Sequence, residues 1–389
     1  MILIIKIGPA LKRYLNICKT FIHCLMSKRL IINKALIILL LFISNTRAFC
    51  VPADSTGKVK IGVLPTAFYT PETRFGFGGL VFSHFKTQQR DSLLRKSNSQ
   101  SYISYTINKQ FSFENDYQLW LKGNLFYLTG SADFSKFPEF FYGLGNDTKE
   151  VDRLLVTFDL IRIQTKNLIR IKRNMYGGIY FQYQNLFNQD VKLMSNTPDA
   201  DVYGNMGYNA TGIGPLFMID NRDNPLNPAK GSYLECSYVD FKNIINNQNM
   251  FTSFTFDARK YHTFFHKLIW NGNVFFSYNK GEVPYRMMSE IGGARFLRGY
   301  YRGRFRDNNK LVVQQEFRMP VYGIFGLAVF GGIGSVAKTL SQFKTNEIRY
   351  SYGVGLRIKV NKKENTNIRI DYGLTKDSQG LYIVYGEAF

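Results

Sequence analysis

The segment "RYSYGVGLRIKV", residues 349–360, alternates between two kinds of side chain along its whole length. Every second position from Tyr350 to Val360 is apolar, and the positions between them are Arg, Ser, Gly, Gly, Arg and Lys. Successive side chains of a β-strand point to opposite faces, so the segment predicts a strand with one apolar and one polar face. The same alternation runs through "NIRIDYGL" at 367–374 and "KLIWNGNVFFSYN" at 267–279.

The predicted strands are long for a soluble domain. Segments 74–87, 117–130, 172–186 and 349–360 exceed the usual ~5–6 residues and approach the ~9–11 with which a tilted strand crosses a bilayer. The chain contains 34 Phe and 25 Tyr, which concentrate toward strand ends as in the aromatic girdles of outer-membrane barrels. Together these features predict an all-β fold, a transmembrane antiparallel β-barrel.

Connection lengths vary between long and short, as expected for external loops and periplasmic turns. Long connections are predicted near 88–100, 131–150, 187–206 and 281–309, short ones at 113–116, 165–170 and 261–266, and medium ones at 221–230 and 243–248. The last four are predicted at 319–324, 338–347, 361–366 and 375–379. Roughly 14 strands are clear, and 58–67 is a further candidate. Because both termini of an exported barrel lie on the periplasmic side, the total is even, about 14 or 16.

Residues 1–48 are predicted to be a signal peptide, with an upstream extension if Met26 is the true start. A basic stretch after Met26 leads into an apolar run from Ala35 to Ile43 and a small-residue cleavage site ending at Ala48. The apolar run is shorter than the ~20 residues of a transmembrane helix, so the pattern indicates export. A short linker, 49–57, then precedes the predicted barrel, 58–389.

Composition and motifs exclude several function classes. The formal net charge is +22, and the eight Lys and Arg of residues 1–50 leave +14 for the remainder. After the predicted leader only Cys50 and Cys236 remain, which excludes a cysteine framework and a cysteine-type zinc site. The sequence has no nucleophile elbow, metalloprotease helix or phosphate-binding loop motif. We therefore expect no enzyme activity, no cofactor and no metal site.

The segment "GGARFLRGYYRGRFRDNNK", residues 292–310, interrupts the strand pattern. It carries six Arg or Lys and four aromatic side chains, without the period of a helix or a strand. Such a segment fits a nucleic-acid patch, a solvated external loop or a loop that buries an arginine. Export and the barrel pattern argue against nucleic acid as a partner. The residues alone leave the other two interpretations open.

Residues 292–319 resemble the signature loop and following strand of the BamA/TamA superfamily, also described as the bacterial surface-antigen barrel. The matching residues are Leu297, Arg298, Gly299 and Tyr300, followed by "VVQQEFRMP" at 312–320. Three further segments resemble family hallmarks: "FYGLGNDT" at 141–148, "DNRDNPLNPAKGSYLE" at 220–235 and "YGEAF" at 385–389. The resemblance covers residues 60–389, the predicted mature chain.

The resemblance implies a sixteen-stranded outer-membrane barrel whose long basic loop folds into the lumen, where acidic groups of the inner wall hold Arg298. A buried Arg needs a carboxylate, because an unpaired buried charge is costly. Alternation places Glu316 on the inward face of its strand, which makes it the leading partner. The family usually has an inward Asp in the next strand, where this chain has Gly332. Asp371, also on an inward face, is the candidate replacement.

Two further motifs are assigned by the resemblance. The first is a periplasmic turn motif, formed by Asp220, Arg222, Asp223, Pro225, Pro228 and Gly231. Ordinary turn chemistry accounts for it without further function, because Pro and Gly set backbone angles and Asp side chains bond nearby amides. The second is a C-terminal barrel signal, formed by Tyr385, Gly386 and Phe389.

The resemblance implies a role in inserting or translocating protein or lipid at the bacterial outer membrane, through a barrel whose first and last strands separate. Members that assemble other proteins carry periplasmic POTRA domains, and the short linker leaves no room for one. We therefore expect a barrel lacking POTRA domains and a separate periplasmic partner that delivers substrate. The alternative is a static pore or structural barrel. Other expected partners are outer-membrane lipid, lipopolysaccharide and the barrel assembly machinery that inserts the protein itself.

Overall fold

The computed structural model describes residues 59–70, 74–88, 94–192, 204–245, 248–361 and 365–389. The predicted signal peptide, 1–48, and linker, 49–57, lie outside these residues. Sixteen strands of the described chain form one antiparallel sheet whose neighbours follow chain order, and a separate sheet of two short strands lies between its eleventh and twelfth strands in sequence. The predicted all-β fold of sixteen barrel strands is confirmed.

The strands alternate in direction and are joined by turns, loops and short 3₁₀ segments. The barrel strands are β1 (Lys60–Thr70), β2 (Arg74–Phe85), β3 (Ser97–Thr106), β4 (Phe111–Leu121), β5 (Phe126–Phe141), β6 (Leu154–Lys172), β7 (Met175–Lys192), β8 (Tyr208–Asp220), β9 (Gly231–Asn243), β10 (Asn249–Thr263), β11 (Ile269–Gly281), β14 (Asn309–Tyr322), β15 (Phe325–Ala337), β16 (Arg349–Asn361), β17 (Thr366–Leu374) and β18 (Gln379–Tyr385). The short pair is β12 (Ser289–Ile291) and β13 (Phe305–Asp307). The 3₁₀ segments are Glu150–Asp152, Phe265–Lys267, Tyr285–Met287, Leu340–Gln342 and Thr345–Glu347.

Strand β14 exposes apolar side chains and buries polar ones, the reverse of the usual arrangement in a soluble protein. In β14, Leu311 and Val313 are exposed and Val312, Gln314 and Glu316 are buried, which confirms the predicted faces. Elsewhere in the described strands Val329, Val354 and Ile383 are also exposed, whereas Arg357 and Asp371 are buried. This arrangement suits a barrel with lipid outside and a polar lumen. Among the described residues, no helix is long and apolar enough to cross a membrane.

The predicted strand at 117–130 is wrong. The segment straddles a tight turn between β4 and β5, so the predicted connections at 113–116 and 131–150 fall largely on strand residues. Lys122, Gly123 and Asn124 adopt φ angles of 47°, 62° and 61°, the left-handed region that a two-strand hairpin turn requires. The predicted turn at 165–170 likewise lies within β6, and the actual turn follows at Asn174, with φ 64°.

Most predicted connections in the second half of the chain agree with the structure, but the one at 319–324 falls largely on β14 and the one at 261–266 begins inside β10. The predicted breaks at 221–230, 281–309, 338–347 and 375–379 match the observed strand ends to within two residues. The candidate strand at 58–67 is confirmed as β1, which completes the even number. β1 and β18 are the two edges of the sheet, and within the described residues no ladder joins them.

Candidate functional site

The long basic connection, residues 282–308, folds against the inner face of the barrel and is called here the lumenal loop. Its short strands β12 and β13 pair with each other, which turns the segment back on itself. Gly292 has φ 115°, and a Cβ there would lie 1.8 Å from the Tyr301 carbonyl oxygen, so the sharp turn requires glycine. Ile291, Leu297 and Arg306 of the loop are at most 1% exposed, so the loop lies inside rather than in external solvent.

Arg298 is buried at the centre of this loop, with 2% of its side chain exposed. Its Nη2 donates to Glu316 Oε2 at 2.7 Å, and its Nη1 donates to Asp371 Oδ2 at 2.5 Å. The guanidinium carbon also lies 3.4 Å from the centre of the Phe330 ring. The structure thus brings Arg298 together with both carboxylates that the sequence singled out. A planar guanidinium with several fixed donors suits two carboxylates and an aromatic face at once.

Three further arginines and one further carboxylate, which sequence reasoning did not single out, complete the cluster. Arg357 Nη1 donates to Asp371 at 2.6 Å, its Nη2 to Glu316 at 3.1 Å and its Nε to Glu387 at 2.9 Å. Arg369 also donates to Asp371. Alternation already placed Arg357 and Arg369 on the polar faces of their strands, but nothing in the sequence showed which carboxylates they meet. We call this set the arginine cluster: Arg298, Glu316, Arg318, Arg357, Arg369, Asp371 and Glu387.

The residues flanking Arg298 fix the loop by close packing. Leu297 is buried with Val312 and Val336 in an apolar cluster under the loop. Gly299 has φ 121°, and a Cβ there would lie 3.0 Å from the Gly373 carbonyl carbon, so glycine permits the loop to touch β17. The Tyr300 ring meets Phe305 edge-on with 5.1 Å between centroids.

The arginine cluster forms without an aspartate at position 332, where the family usually has one. A Cβ on Gly332 would lie 2.7 Å from Gln314 Cβ and 3.0 Å from Leu297 Cδ2. The space of a side chain is therefore taken by Gln314 of the neighbouring strand and by Leu297 of the lumenal loop. The second carboxylate comes from Asp371 on β17 instead.

A second group of charges, the upper cluster, holds the other end of the lumenal loop. Arg306 Nη2 donates to Glu139 of the wall at 2.6 Å and to Glu290 of the loop at 2.9 Å. Arg286 lies 2.8 Å from Glu139, and Arg302 Nε donates to Glu290 at 2.9 Å. Burial raises the pKa of the Glu290 carboxyl, but the adjacent arginines outweigh burial and hold that pKa well below its usual range.

The predicted periplasmic turn, Asp220–Gly231, is tightly hydrogen-bonded. Asp220 accepts from Arg222 Nε at 2.9 Å and from Arg95 Nη1 at 2.7 Å. Asp223 Oδ1 accepts backbone N–H groups within 3.2 Å at three positions of the turn. Gly231 has φ 105°, as the chain enters β9. These contacts are turn chemistry, consistent with the simpler of the two interpretations.

The same turn also reaches the arginine cluster. The Pro228 carbonyl accepts from Arg318 Nη2 at 2.6 Å, and Asn227 Oδ1 accepts from Arg318 Nη1 at 2.6 Å. The Pro225 carbonyl accepts from Arg222 Nη1 at 3.3 Å. The turn therefore packs beneath the cluster.

The last four residues of the chain do not continue strand β18. β18 ends at Tyr385, and Gly386, with φ 86°, turns the chain inward. Glu387 then joins the arginine cluster, and Phe389 is buried with 7% exposed. Tyr385 bonds His84 of β2, with 2.8 Å between the hydroxyl and Nε2. Phe389 thus lies beyond the last strand, and a signal role for Tyr385, Gly386 and Phe389 stays a prediction.

A cavity of about 750 Å³ lies between the lumenal loop and the C-terminal residues. Gln164, Gln182, Arg259 and Arg295 are among its polar lining residues. Within the described chain, no group of three or more His, Cys, Asp or Glu side chains is arranged to hold a metal ion.

The family model of the Omp85 superfamily domain matches residues 101–389. The chain belongs to the Omp85 superfamily. Among solved structures, BamA from Haemophilus ducreyi lacking POTRA domains 1–3 is similar, with a TM-score of 0.52 and 11% identity over 85% of this chain and 69% of that one. CdiB from Escherichia coli gives a TM-score of 0.52 and 10% identity over 84% of this chain and 61% of CdiB. No curated protein sequence matches the chain.

The resemblance drawn from the loop and turn motifs is thereby confirmed at the level of the superfamily. This Omp85 protein is a bacterial outer-membrane protein with a BamA-like barrel fold. It spans less than two thirds of the length of CdiB, and at these identities the two neighbours establish its fold.

Proposed function

We propose that this Omp85 barrel takes part in inserting or translocating protein or lipid at the outer membrane by parting β1 from β18. The observation that carries the proposal is the absence of a ladder between these two edge strands in the described residues. β1 is paired along its length with β2, from Lys60↔His84 to Thr70↔Arg74. An edge strand with unpaired backbone groups is a template for another chain. A substrate strand or a lipid chain would enter the membrane there.

Side-chain contacts hold the seam where backbone pairing does not. The Tyr385 ring stacks on Phe82 of β2 with 4.6 Å between centroids, and its hydroxyl meets His84 at 2.8 Å. Each intramolecular hydrogen bond contributes about 0.5–1.5 kcal/mol net, and an aromatic pair about the same. The seam is therefore the boundary of the sheet that separates most easily. We place the moving element of the mechanism there.

The expected partners follow from the exposed faces. Ile383 of β18 and Val329 of β15 are 66% and 58% exposed on the outer surface, which supports contact with the acyl chains of outer-membrane lipid and lipopolysaccharide. A separate periplasmic protein delivers substrate to the periplasmic end of the seam. The barrel assembly machinery inserts this protein itself.

A reversible bridge across the seam tests the proposal. In a background without native cysteines, His84→Cys and Tyr385→Cys are joined by a bifunctional thiol reagent with a reducible link. The protein is placed in vesicles of phosphatidylcholine and phosphatidylethanolamine, and a urea-unfolded eight-stranded outer-membrane protein is added as the probe. We expect the bridged protein to insert the probe no faster than lipid alone, and reduction to restore the faster rate.

The matched control bridges two strands that are already paired. Leu327 of β15 and Leu356 of β16 are register partners on the outer face, so their bridge leaves the seam free. Inhibition by the seam bridge but not by the control bridge is the expected result. If the unbridged protein gives no acceleration over lipid, the barrel is a static pore or structural barrel instead.

A further inference from the structure

We infer, building on the proposed function, that the lumenal loop clasps the last hairpin of the barrel, so that the seam opens only when the loop is released. The clasp is formed by direct contacts with β17 and β18 and by Arg357, which joins the loop to the C-terminal residues. Release of the loop and movement of β18 are then a single event.

Direct contacts join the tip of the loop to the hairpin. Tyr382 of β18 accepts a hydrogen bond from Gly299 N at 3.0 Å and donates one to the Tyr300 carbonyl at 3.0 Å. Ser378, in the turn between β17 and β18, donates to the Gly299 carbonyl at 2.9 Å. Arg298 adds its bond to Asp371 of β17. Four polar contacts thus tie residues 298–300 to the strand pair that ends at the seam.

Arg357 joins the loop to the C-terminal residues through shared carboxylates. Its guanidinium contacts Glu316 and Asp371, the two partners of Arg298, and also Glu387 beyond β18. Glu387 also accepts from Asn367 at 2.7 Å, so it is tied to β17 as well. Loss of Arg298 from the loop, or of Glu387 from the C-terminal residues, therefore changes the net charge around Arg357.

Charge balance gives the sign of the coupling. The strands of the wall supply Arg318, Arg357 and Arg369 against Glu316 and Asp371, an excess of one positive charge. The lumenal loop brings Arg298, and the C-terminal residues bring Glu387. When both Arg298 and Glu387 are in place, the cluster has an excess of one positive charge. When Arg298 is in place and Glu387 is not, the excess is two. Because excess buried charge is costly, Arg298 in the cluster favours the docking of Glu387 there, and Glu387 favours the docking of Arg298.

Spin-label mobility in the full-length protein tests the clasp without any substrate. A nitroxide at Ala388→Cys, in a background without native cysteines, reports on the C-terminal residues. We expect an immobile label in the parent and a rise in the ratio of mobile to immobile label, about 100-fold in Arg298→Ala and about tenfold in Tyr382→Phe, within the range typical of coupled sites. Tyr382→Phe keeps the ring and removes the two hydrogen bonds to the loop.

The matched control breaks the upper cluster of the same loop. Glu139→Gln removes a carboxylate that bonds Arg286 and Arg306 of the loop and, among the described residues, neither Arg357 nor the last hairpin, so the label at 388 should stay immobile. In the reciprocal experiment, Glu387→Gln should mobilise a label at Ala294→Cys on the loop. Heat-dependent migration in detergent gels verifies that each variant is folded.

Two results would overturn the clasp. One is an immobile label at 388 in folded Arg298→Ala and Tyr382→Phe, since the loop would then be released without the hairpin. The other is equal mobility in Glu139→Gln, since any loosening of the loop would then suffice. Neither result depends on probe insertion, so failure of the clasp is distinguishable from failure of the proposed function.

Discussion

Replacement of Arg298 by alanine is expected to unlock the lumenal loop. The substitution removes two charge-assisted hydrogen bonds, each worth about 1.5–3 kcal/mol. Glu316 and Asp371 keep Arg357 and Arg369, so neither carboxylate is left unpaired and the loss is at the lower end of the sum, about 3 kcal/mol. A change of this size raises the population of released loop about 100-fold.

Single-channel recording in a planar bilayer measures this population. The lumenal loop and the C-terminal residues occupy part of the lumen and line its cavity, so the parent should show a small, fluctuating conductance. Arg298→Ala should show a large and steady one. Arg298→Lys keeps the charge but cannot form the planar fork, so its openings should be intermediate in frequency.

Two results would refute the role of Arg298 as the lock. A large, steady conductance in both parent and Arg298→Ala would place the conduction path outside the loop. A small conductance in both would show that the upper cluster and the packing of Leu297 hold the loop without Arg298. Val354→Ala, on the outer face of β16 and 57% exposed, is the control for effects of substitution alone.

Three further substitutions or conditions test the packing and electrostatics of the loop. Gly332→Asp should destabilise the folded barrel by about 1–3 kcal/mol through overpacking against Leu297, seen as a lower urea midpoint, and an unchanged midpoint would contradict this. Gly299→Ala, at φ 121°, should introduce strain of about 1–3 kcal/mol and produce openings like those of Arg298→Lys; closed-state conductance would argue against it. The pKa of Glu290 is lowered in the folded state, so its contribution to stability is present above the ordinary carboxyl range and is lost only as pH falls toward the depressed value. The conductance of the parent should therefore be as small at pH 4.5, the ordinary value, as at neutral pH, and large openings at pH 4.5 would contradict it.

Strand periodicity predicted the second half of the barrel better than the first, for a local reason. Between β4 and β5 the residues "LKGN" keep enough apolar neighbours to read as a continuous strand, and the turn depends on left-handed backbone at Lys122 and Asn124. From β8 onward, most connections contain Pro, Gly or clusters of polar residues, which mark the strand ends in the sequence. The exception is "FFHKL" at 264–268, where the predicted turn begins too early.

One contact of the arginine cluster could be predicted from the sequence, because it follows from strand alternation. The other contacts depend on how the strands and the C-terminal turn are placed in space. Glu316 lies on the buried face of the strand after the loop, so its approach to Arg298 follows from the period of two. Arg357 and Glu387 come together because Gly386 turns the chain inward after β18, and strand periodicity carries no sign of that turn. Side-chain reach across several strands depends on the curvature of the sheet, which a single sequence does not display.

The position of the second carboxylate connects the lock to the seam. Glu316 lies on β14 and Asp371 on β17, so the fork of Arg298 spans the inner face of two intervening strands. A carboxylate at position 332 would have anchored the loop to β15, three places from the edge strand β18. With Asp371 as the anchor, the loop is bonded to β17, the strand that pairs directly with β18. Asp371 of β17 and Tyr382 of β18 are register partners. Movement of β18 away from β1 therefore pulls on the same backbone that holds Arg298, which is why an unlocked loop and an open seam should occur together.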